Sequence, residues 1–349
     1  MLAAVLKELS KPLRIEEVST PSPGPDEVLV QVMACGTDAT DLKMIDGFGY
    51  APDLPFITGH EIAGVVSEFG NQVTDFKPGD RVVAHNFFTC GKCLLCRTNR
   101  EQLCIDMSGV MGARIKHGGH AEYVLVPARQ LVSVPDGVPW PDAAVCCDAG
   151  ITAFHAVDRA EVSLGETVVV IGVGGVGSVV TQLAKAAGAY VIAVDRLTVK
   201  VARGLKMGAD VALNASETDV ETEVRELTDG LGADCVIDVV GNKETLTYGV
   251  NTLRHGGRLL VVGYTPELYE LSGRQLAQNE LMLIGSRCGR LQDLANAVRL
   301  VAEGKIKSIV TDLYPLEKIN DALDDLRASK VLGRAVLLTP AGRKAMEQV

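Results

Sequence analysis

Four cysteines open the chemistry of this chain: Cys90, Cys93, Cys96 and Cys104, in the run C-G-K-C-L-L-C-R-T-N-R-E-Q-L-C. Four soft thiolates brought together by short turns suit a closed tetrahedral zinc ion. The residues between them are mostly polar or turn-forming, so the lobe 90–104 is pinned by metal, not by a core. Four thiolates leave water no position on the ion, so the expected role is structural. An iron–sulfur cluster of similar spacing expects a proline after the remote cysteine, and Ile105 follows Cys104 instead. A second constellation is Gly172-Val173-Gly174-Gly175-Val176-Gly177, which follows the apolar run TVVVI and opens a helical pattern. In that context, Gly172 permits a tight turn, Gly174 lets the backbone approach a pyrophosphate, and Gly177 lets helix and strand pack closely. The free amides at the helix start, Gly175 and Val176 among them, then face the phosphates. Asp195 ends the next strand-like run, VIAVD, where a carboxylate binds ribose hydroxyls and repels a 2′-phosphate, which favours NAD over NADP. Its neighbour Arg196 could hold a phosphate or stack on adenine.

A third group is spread along the chain. Cys35 lies in A-C-G-T-D, His60 and Glu61 in G-H-E, and Asp148 in C-C-D-A-G-I-T. A thiolate, an imidazole and a carboxylate from separate loops could bind zinc and leave a position for substrate. Each also has a plain alternative: Cys35 a core thiol, His60 a turn histidine, Asp148 a helix cap.

The elements that must position these residues divide by pattern. Residues 1–152 are strand-rich, with EVLVQVMA, IAGVVSEFG and DRVVAH broken by PSPGPDE, GNQV and KPGD, which are turn signals. An irregular, partly closed antiparallel barrel is expected there. Over 153–287, strand-like runs (TVVVIG, YVIAVD, ADCVIDVVG, RLLVVG) alternate with helical ones, the signature of an open parallel sheet. Residues 288–349 carry two helical stretches and a last strand, GRAVLLT, and are expected to return to the first domain. The run NELMLIGS at 279–286 reads as an edge strand available for self-association.

The 349 residues are 47% hydrophobic and 22% charged, as in a folded protein. A net charge of -10 argues against nucleic-acid binding. No run is long and apolar enough for a membrane span, and the start is not of signal-peptide type. An odd total of nine cysteines with C-x-x-C spacing suits reduced thiolates, hence a cytoplasmic location.

Taken together, A-C-G-T-D, G-H-E-I-A-G, G-D-R-V, the four-cysteine lobe, D-A-G-I-T-A-F, G-V-G-G-V-G and the late G-R-A-V resemble the zinc-containing medium-chain alcohol dehydrogenases along essentially the whole chain. The resemblance implies an α/β Rossmann cofactor domain combined with a β-rich GroES-like catalytic domain. It implies two zinc ions per chain, one catalytic and one structural, NAD as cofactor, and a homodimer or homotetramer. It assigns Cys35, His60 and Asp148 as the catalytic zinc ligands and Glu61 as a transient one. Asp38 resembles the carboxylate that orients the histidine ligand. Thr37 resembles the hydroxyl that touches the reacting oxygen, Thr152 the threonine beside the nicotinamide, and Arg334 the arginine that reaches the cofactor phosphates. Two departures stand out. Thr40 occupies the place of a relay histidine, and Gly36 that of a basic residue in some members.

The implied activity is hydride transfer between a small alcohol or carbonyl substrate and NAD. Residues 44–57, with Phe48, Tyr50 and Phe56, read as a pocket entrance and tilt the substrate toward apolar or cyclic alcohols. Phe154 and His155 read as core or cofactor packing. The alternatives are a polyol or sugar dehydrogenase, a zinc-retaining reductase of conjugated carbonyls or imines, and a non-enzymatic zinc- and NAD-binding homologue.

Overall fold

The computed structural model describes residues 1–49 and 52–347, so Tyr50 lies outside the described residues. The chain forms two compact units, Met1–Ile151 with Arg290–Val349, and Thr152–Gly289.

The first unit is built on one long strand, Glu27–Thr37. It pairs antiparallel with Glu61–Phe69, with Tyr123–Pro127 and with Arg334–Leu338. Arg81–Ala84 and Leu131–Ser133 extend this sheet on one side. Val310–Pro315 extends it on the other, running parallel to Arg334–Leu338, so the strands of residues 1–152 pair antiparallel as expected in this sheet and the returning tail adds one parallel pair. The inward face carries Val28, Val30, Val32, Ile62, Val66, Val82, Val124 and Val126, all buried in one cluster. β-Branched residues suit such a pleated, half-buried surface.

The register of the long strand slips between Val32 and Ala34. A bulge of this kind inserts one residue and reverses the alternation beyond it. Positions 28, 30 and 32 face the core before the slip, and Cys35 faces it after. Directly after the strand, Asp38 caps the helix Ala39–Ile45. Its carboxylate accepts from the Thr40 amide at 2.7 Å, while Asp41 accepts back from the Asp38 amide at 3.1 Å. Such a cap contributes about 1 kcal/mol. The helix is short and its apolar face is only Leu42, Met44 and Ile45, too little to set a helical period in the sequence.

In the second unit, six parallel strands lie in the order Val211–Asn214, Tyr190–Asp195, Thr167–Ile171, Ala233–Asp238, Leu253–Val261, Met282–Gly285. Numbered by sequence this is 3-2-1-4-5-6, the doubly wound arrangement with its crossover point beside the first strand. The central strands are buried on both faces, which explains their unbroken apolar runs. Among the described residues, no helix is long and apolar enough to cross a membrane.

Candidate active site and metal centres

In the lobe, the Sγ atoms of Cys90, Cys93, Cys96 and Cys104 lie within 4.8 Å of one another. Cys93 and Cys96 are 3.5 Å apart, Cys90 and Cys96 3.9 Å, Cys93 and Cys104 3.9 Å. Four thiolates around zinc at the usual bond length have edges of about 3.8 Å. All four cysteines are free of disulfides. Backbone amides aim at the sulfurs, with Cys93 N–H donating to Cys90 Sγ at 3.3 Å. Amides and neighbouring thiols hold Cys93 down at about 6, while burial first and then its sulfur neighbours push Cys96 up to about 12. The donor set fits a closed zinc site.

A second group joins Asp38, His60 and Asp148, again with donor atoms within 4.8 Å. His60 Nε2 lies 3.7 Å from Asp38 Oδ1 and 3.9 Å from Asp148 Oδ1. Oxygen and nitrogen donors around tetrahedral zinc stand about 3.4 Å apart, so these positions fit an ion with small adjustments. On the ring's far side, Nδ1 faces Asp41 Oδ1 at 3.7 Å. His60 is 3% exposed and neither ring nitrogen has a hydrogen-bond partner. A buried imidazole in that state points to a ligand on one nitrogen and an orienting carboxylate on the other. Burial alone would push His60 down, but Asp38, Asp41 and Asp148 raise it well above its ordinary value.

Local structure explains the group. Asp38 sits at the strand-to-helix turn and His60 just before the strand Glu61–Phe69. Asp148 lies on a widened π-type turn, Cys146–Gly150, between the helices Trp140–Val145 and Ile151–Arg159. Such turns often mark functional sites.

Several expected placements change. Cys35 is not in the donor group: the bulge turns its side chain into the barrel core, where it is 1% exposed and burial pushes the thiol well up. Asp38 stands beside His60 where a thiolate was expected, and Asp41, three residues on, faces the ring's other nitrogen. The two T-D pairs, Thr37-Asp38 and Thr40-Asp41, were the available signal, but the spacing alone does not say where the strand ends. Thr37 is fully buried and its hydroxyl donates to Asp41 Oδ2 at 3.0 Å, so it is committed away from a reacting oxygen. Thr40 is half-buried, with Oγ1 3.5 Å from Asp38 Oδ2.

Arg334, expected at the cofactor phosphates, gathers carboxylates. Its strand pairs beside Thr37, and its buried guanidinium donates to Glu61 Oε1 at 2.9 Å through Nε and to Asp148 through Nη2. Nη2 is also 3.2 Å from Asp38 Oδ2. Glu61 is completely buried, and burial lifts it to about 8 although Arg334 pulls the other way. Gly36 faces Glu61 across the sheet, where an added Cβ would come 1.7 Å from Oε2. Its role is therefore steric clearance for Glu61. In the 44–57 segment, Met44, Ile45 and Phe56 are core residues, not an entrance, and Phe48 is half-buried.

In the second unit, Gly174 caps the helix Gly175–Ala186. Gly172 has φ +90, which favours glycine. Nothing lies within 4 Å of a Cβ built on Gly174, which leaves the open approach a pyrophosphate needs. At Gly177 a Cβ would meet the Gly172 carbonyl oxygen at 1.7 Å, so the helix presses on the turn. Gly175 and Val176 sit in the first helical turn. Asp195 accepts from the Val173 amide at 2.8 Å and from the Leu197 amide at 3.1 Å, holding it beside the loop, and Arg196 next to it is exposed. These residues fit a dinucleotide. Thr152 and His155 are buried in the helix Ile151–Arg159 and Phe154 is half-buried.

Residues 24–136 match the alcohol dehydrogenase GroES-like domain and residues 175–303 the zinc-binding dehydrogenase domain. An alcohol dehydrogenase of Geobacillus stearothermophilus is 37% identical over 97% of this chain and 99% of its own length. An NAD-dependent alcohol dehydrogenase of Sulfurisphaera tokodaii is 35% identical over 97% of this chain and 100% of its own. The crystal structure of the alcohol dehydrogenase from Aeropyrum pernix superimposes with a TM-score of 0.90 at 35% identity, covering 97% of this chain and 100% of that one. With both halves of the fold, a four-thiolate lobe and a dinucleotide turn in place, the chain belongs to the zinc-dependent medium-chain alcohol dehydrogenase family.

Proposed function

We propose that the protein oxidises a small alcohol, or reduces its carbonyl, with NAD as hydride partner. The observation that carries this reading is the trio of buried Asp38 and His60 with half-buried Asp148, gathered from three separate elements around one point. We assign the first unit as catalytic and the second as cofactor-binding. Asp38, His60 and Asp148 would hold the catalytic zinc, and the four cysteines the structural one. When bound, the catalytic ion polarises the substrate oxygen and NAD exchanges the hydride.

The protein's own contributions are positional and electrostatic. Asp41 Oδ1 faces His60 Nδ1 at 3.7 Å and would orient the ring so that Nε2 is the donor atom. Thr40 Oγ1, beside Asp38 and half-buried, takes the proton released from the substrate hydroxyl and passes it to solvent. Arg334 orders the carboxylates of Asp38, Asp148 and Glu61 through one guanidinium, whose fixed fork suits several oxygens at once. Gly172, Gly174, Gly175, Val176 and Gly177 present the pyrophosphate site, Asp195 the ribose site, with Arg196 at its rim and Thr152 on the nicotinamide side. Copies would associate through the edge strand Met282–Gly285, where Met282 and Leu283 are exposed, and metal-binding C-x-x-C thiolates suit a reducing compartment such as the cytoplasm.

The test is nicotinamide absorbance with a panel of primary, secondary and cyclic alcohols, run on the native chain, Asp38→Ala and Cys35→Ala. Turnover is expected in the native chain and in Cys35→Ala, and loss by at least about a thousandfold in Asp38→Ala. Full turnover in Asp38→Ala overturns the assignment.

A further inference from the structure

The residues around the candidate catalytic position offer a donor set of oxygen and nitrogen alone. The donors are two carboxylate oxygens and one imidazole nitrogen, and no sulfur is in the group. Three cysteines lie close by in sequence, yet each is turned elsewhere. Cys35 is in the barrel core, Cys147 donates to the Ile62 carbonyl at 3.2 Å, and Cys146 to the Asp142 carbonyl at 3.3 Å. Three carboxylates, Asp38, Asp41 and Asp148, face His60, and the Arg334 guanidinium reaches Asp38, Asp148 and Glu61. The buried imidazole, without a hydrogen-bond partner on either nitrogen, aims Nε2 into the centre of this acidic group.

Thiolates select soft and borderline ions, whereas carboxylates suit harder ones such as Mn²⁺. We infer that the Asp38–His60–Asp148 site is a broad-selectivity centre for divalent ions, accepting Mn²⁺, Fe²⁺ and Co²⁺ as well as Zn²⁺, while the cysteine lobe stays zinc-selective. The inference rests on the assignment of Asp38 as a donor made above. Zinc still binds more tightly than manganese, as at any nitrogen–oxygen site, but the margin is narrowed by the missing sulfur. One chain then holds two sites of opposite softness. The carboxylate site loses its ion to a chelator first, and the lobe keeps its own.

The test uses the full chain, treated with chelator until one zinc per chain remains and checked for native circular dichroism. Mn²⁺ is then titrated and the free ion followed by electron paramagnetic resonance. One Mn²⁺ per native chain is expected. Asp38→Cys is expected to weaken Mn²⁺ by roughly tenfold or more and to strengthen Zn²⁺, and Asp38→Asn to weaken both. Cys35→Ala is expected to leave Mn²⁺ binding unchanged. No uptake of Mn²⁺ by the native chain overturns the inference, as does equal Mn²⁺ affinity in Asp38→Cys. If the native chain oxidises alcohols with zinc yet refuses Mn²⁺, the inference fails and the activity stands. If Asp38→Asn keeps both zinc ions, the donor assignment itself fails.

Discussion

Gly174 caps the helix Gly175–Ala186 and Gly177 lies in its first turn, and replacing each with alanine separates cofactor binding from folding. At Gly177 an added Cβ would sit 1.7 Å from the Gly172 carbonyl oxygen and 2.9 Å from its carbon. Backbone, not a flexible side-chain tip, is in the way, so the helix Gly175–Ala186 must move off the turn by more than an ångström. Overpacking of this kind costs about 1–3 kcal/mol. For a unit of this size that is a fall in melting temperature of roughly 4–10 °C. Gly174 is the contrary case. Its φ is -81 and its ψ -151, which alanine adopts, and no atom lies within 4 Å of the new Cβ. Stability should therefore change by less than about 0.5 kcal/mol. The methyl group would instead occupy the space through which a pyrophosphate meets the helix amides, and NADH affinity should fall by about tenfold or more, or 1.4 kcal/mol. Differential scanning calorimetry reads the first quantity and isothermal titration with NADH the second. A Gly174→Ala chain that binds NADH normally, or a Gly177→Ala chain with unaltered melting, refutes the reasoning.

Further outcomes concern other parts of the chain. Arg258 donates to both Glu166 carboxylate oxygens, at 2.9 and 2.6 Å, and to the Glu161 carbonyl at 3.2 Å. Burial opposes ionisation of Glu166, but Arg258 and the Ser163 amide hold it below its usual range. A carboxylate lowered on folding stabilises above its unfolded pKa and ceases to do so as pH falls through the folded value. Arg258→Met should thus cost about 2–3 kcal/mol at pH 7, and urea melts should show that difference shrinking below about pH 4. Cys93→Ser should lower zinc from two ions per chain to one by elemental analysis and expose residues 90–104 to protease; two retained ions would contradict a four-thiolate site. Asp195→Ala removes the acceptor of the Val173 amide and the proposed ribose partner, so NADH affinity should drop about tenfold with NADPH much less affected; parallel losses for both cofactors would count against that role. Gly36→Ala should displace Glu61 and lower the melting temperature, whereas an unchanged melt would show that Glu61 moves aside freely.

The primary sequence determined those features whose chemistry is local. The cysteines of the lobe are joined by short turns, so spacing alone dictates that their sulfurs meet. The glycine turn declares itself because its strand, loop and helix are contiguous. The four central parallel strands are visible as apolar runs, since burial on both faces leaves no polar alternation to obscure them, and NELMLIGS is readable as an edge; the half-buried strand Val211–Asn214 carries no such run. The catalytic constellation was legible only in part. His60 and Asp148 are readable as candidates from their motifs, whereas the geometry puts Asp38, not Cys35, beside them. What decided this was a bulge between Val32 and Ala34 and the place where the strand stops, both products of pairing with Glu61–Phe69. A slip of one residue sends a side chain to the opposite face. Arg334 was likewise beyond local reading, because its partners are set by a strand returning from the far end of the chain to lie beside Thr37.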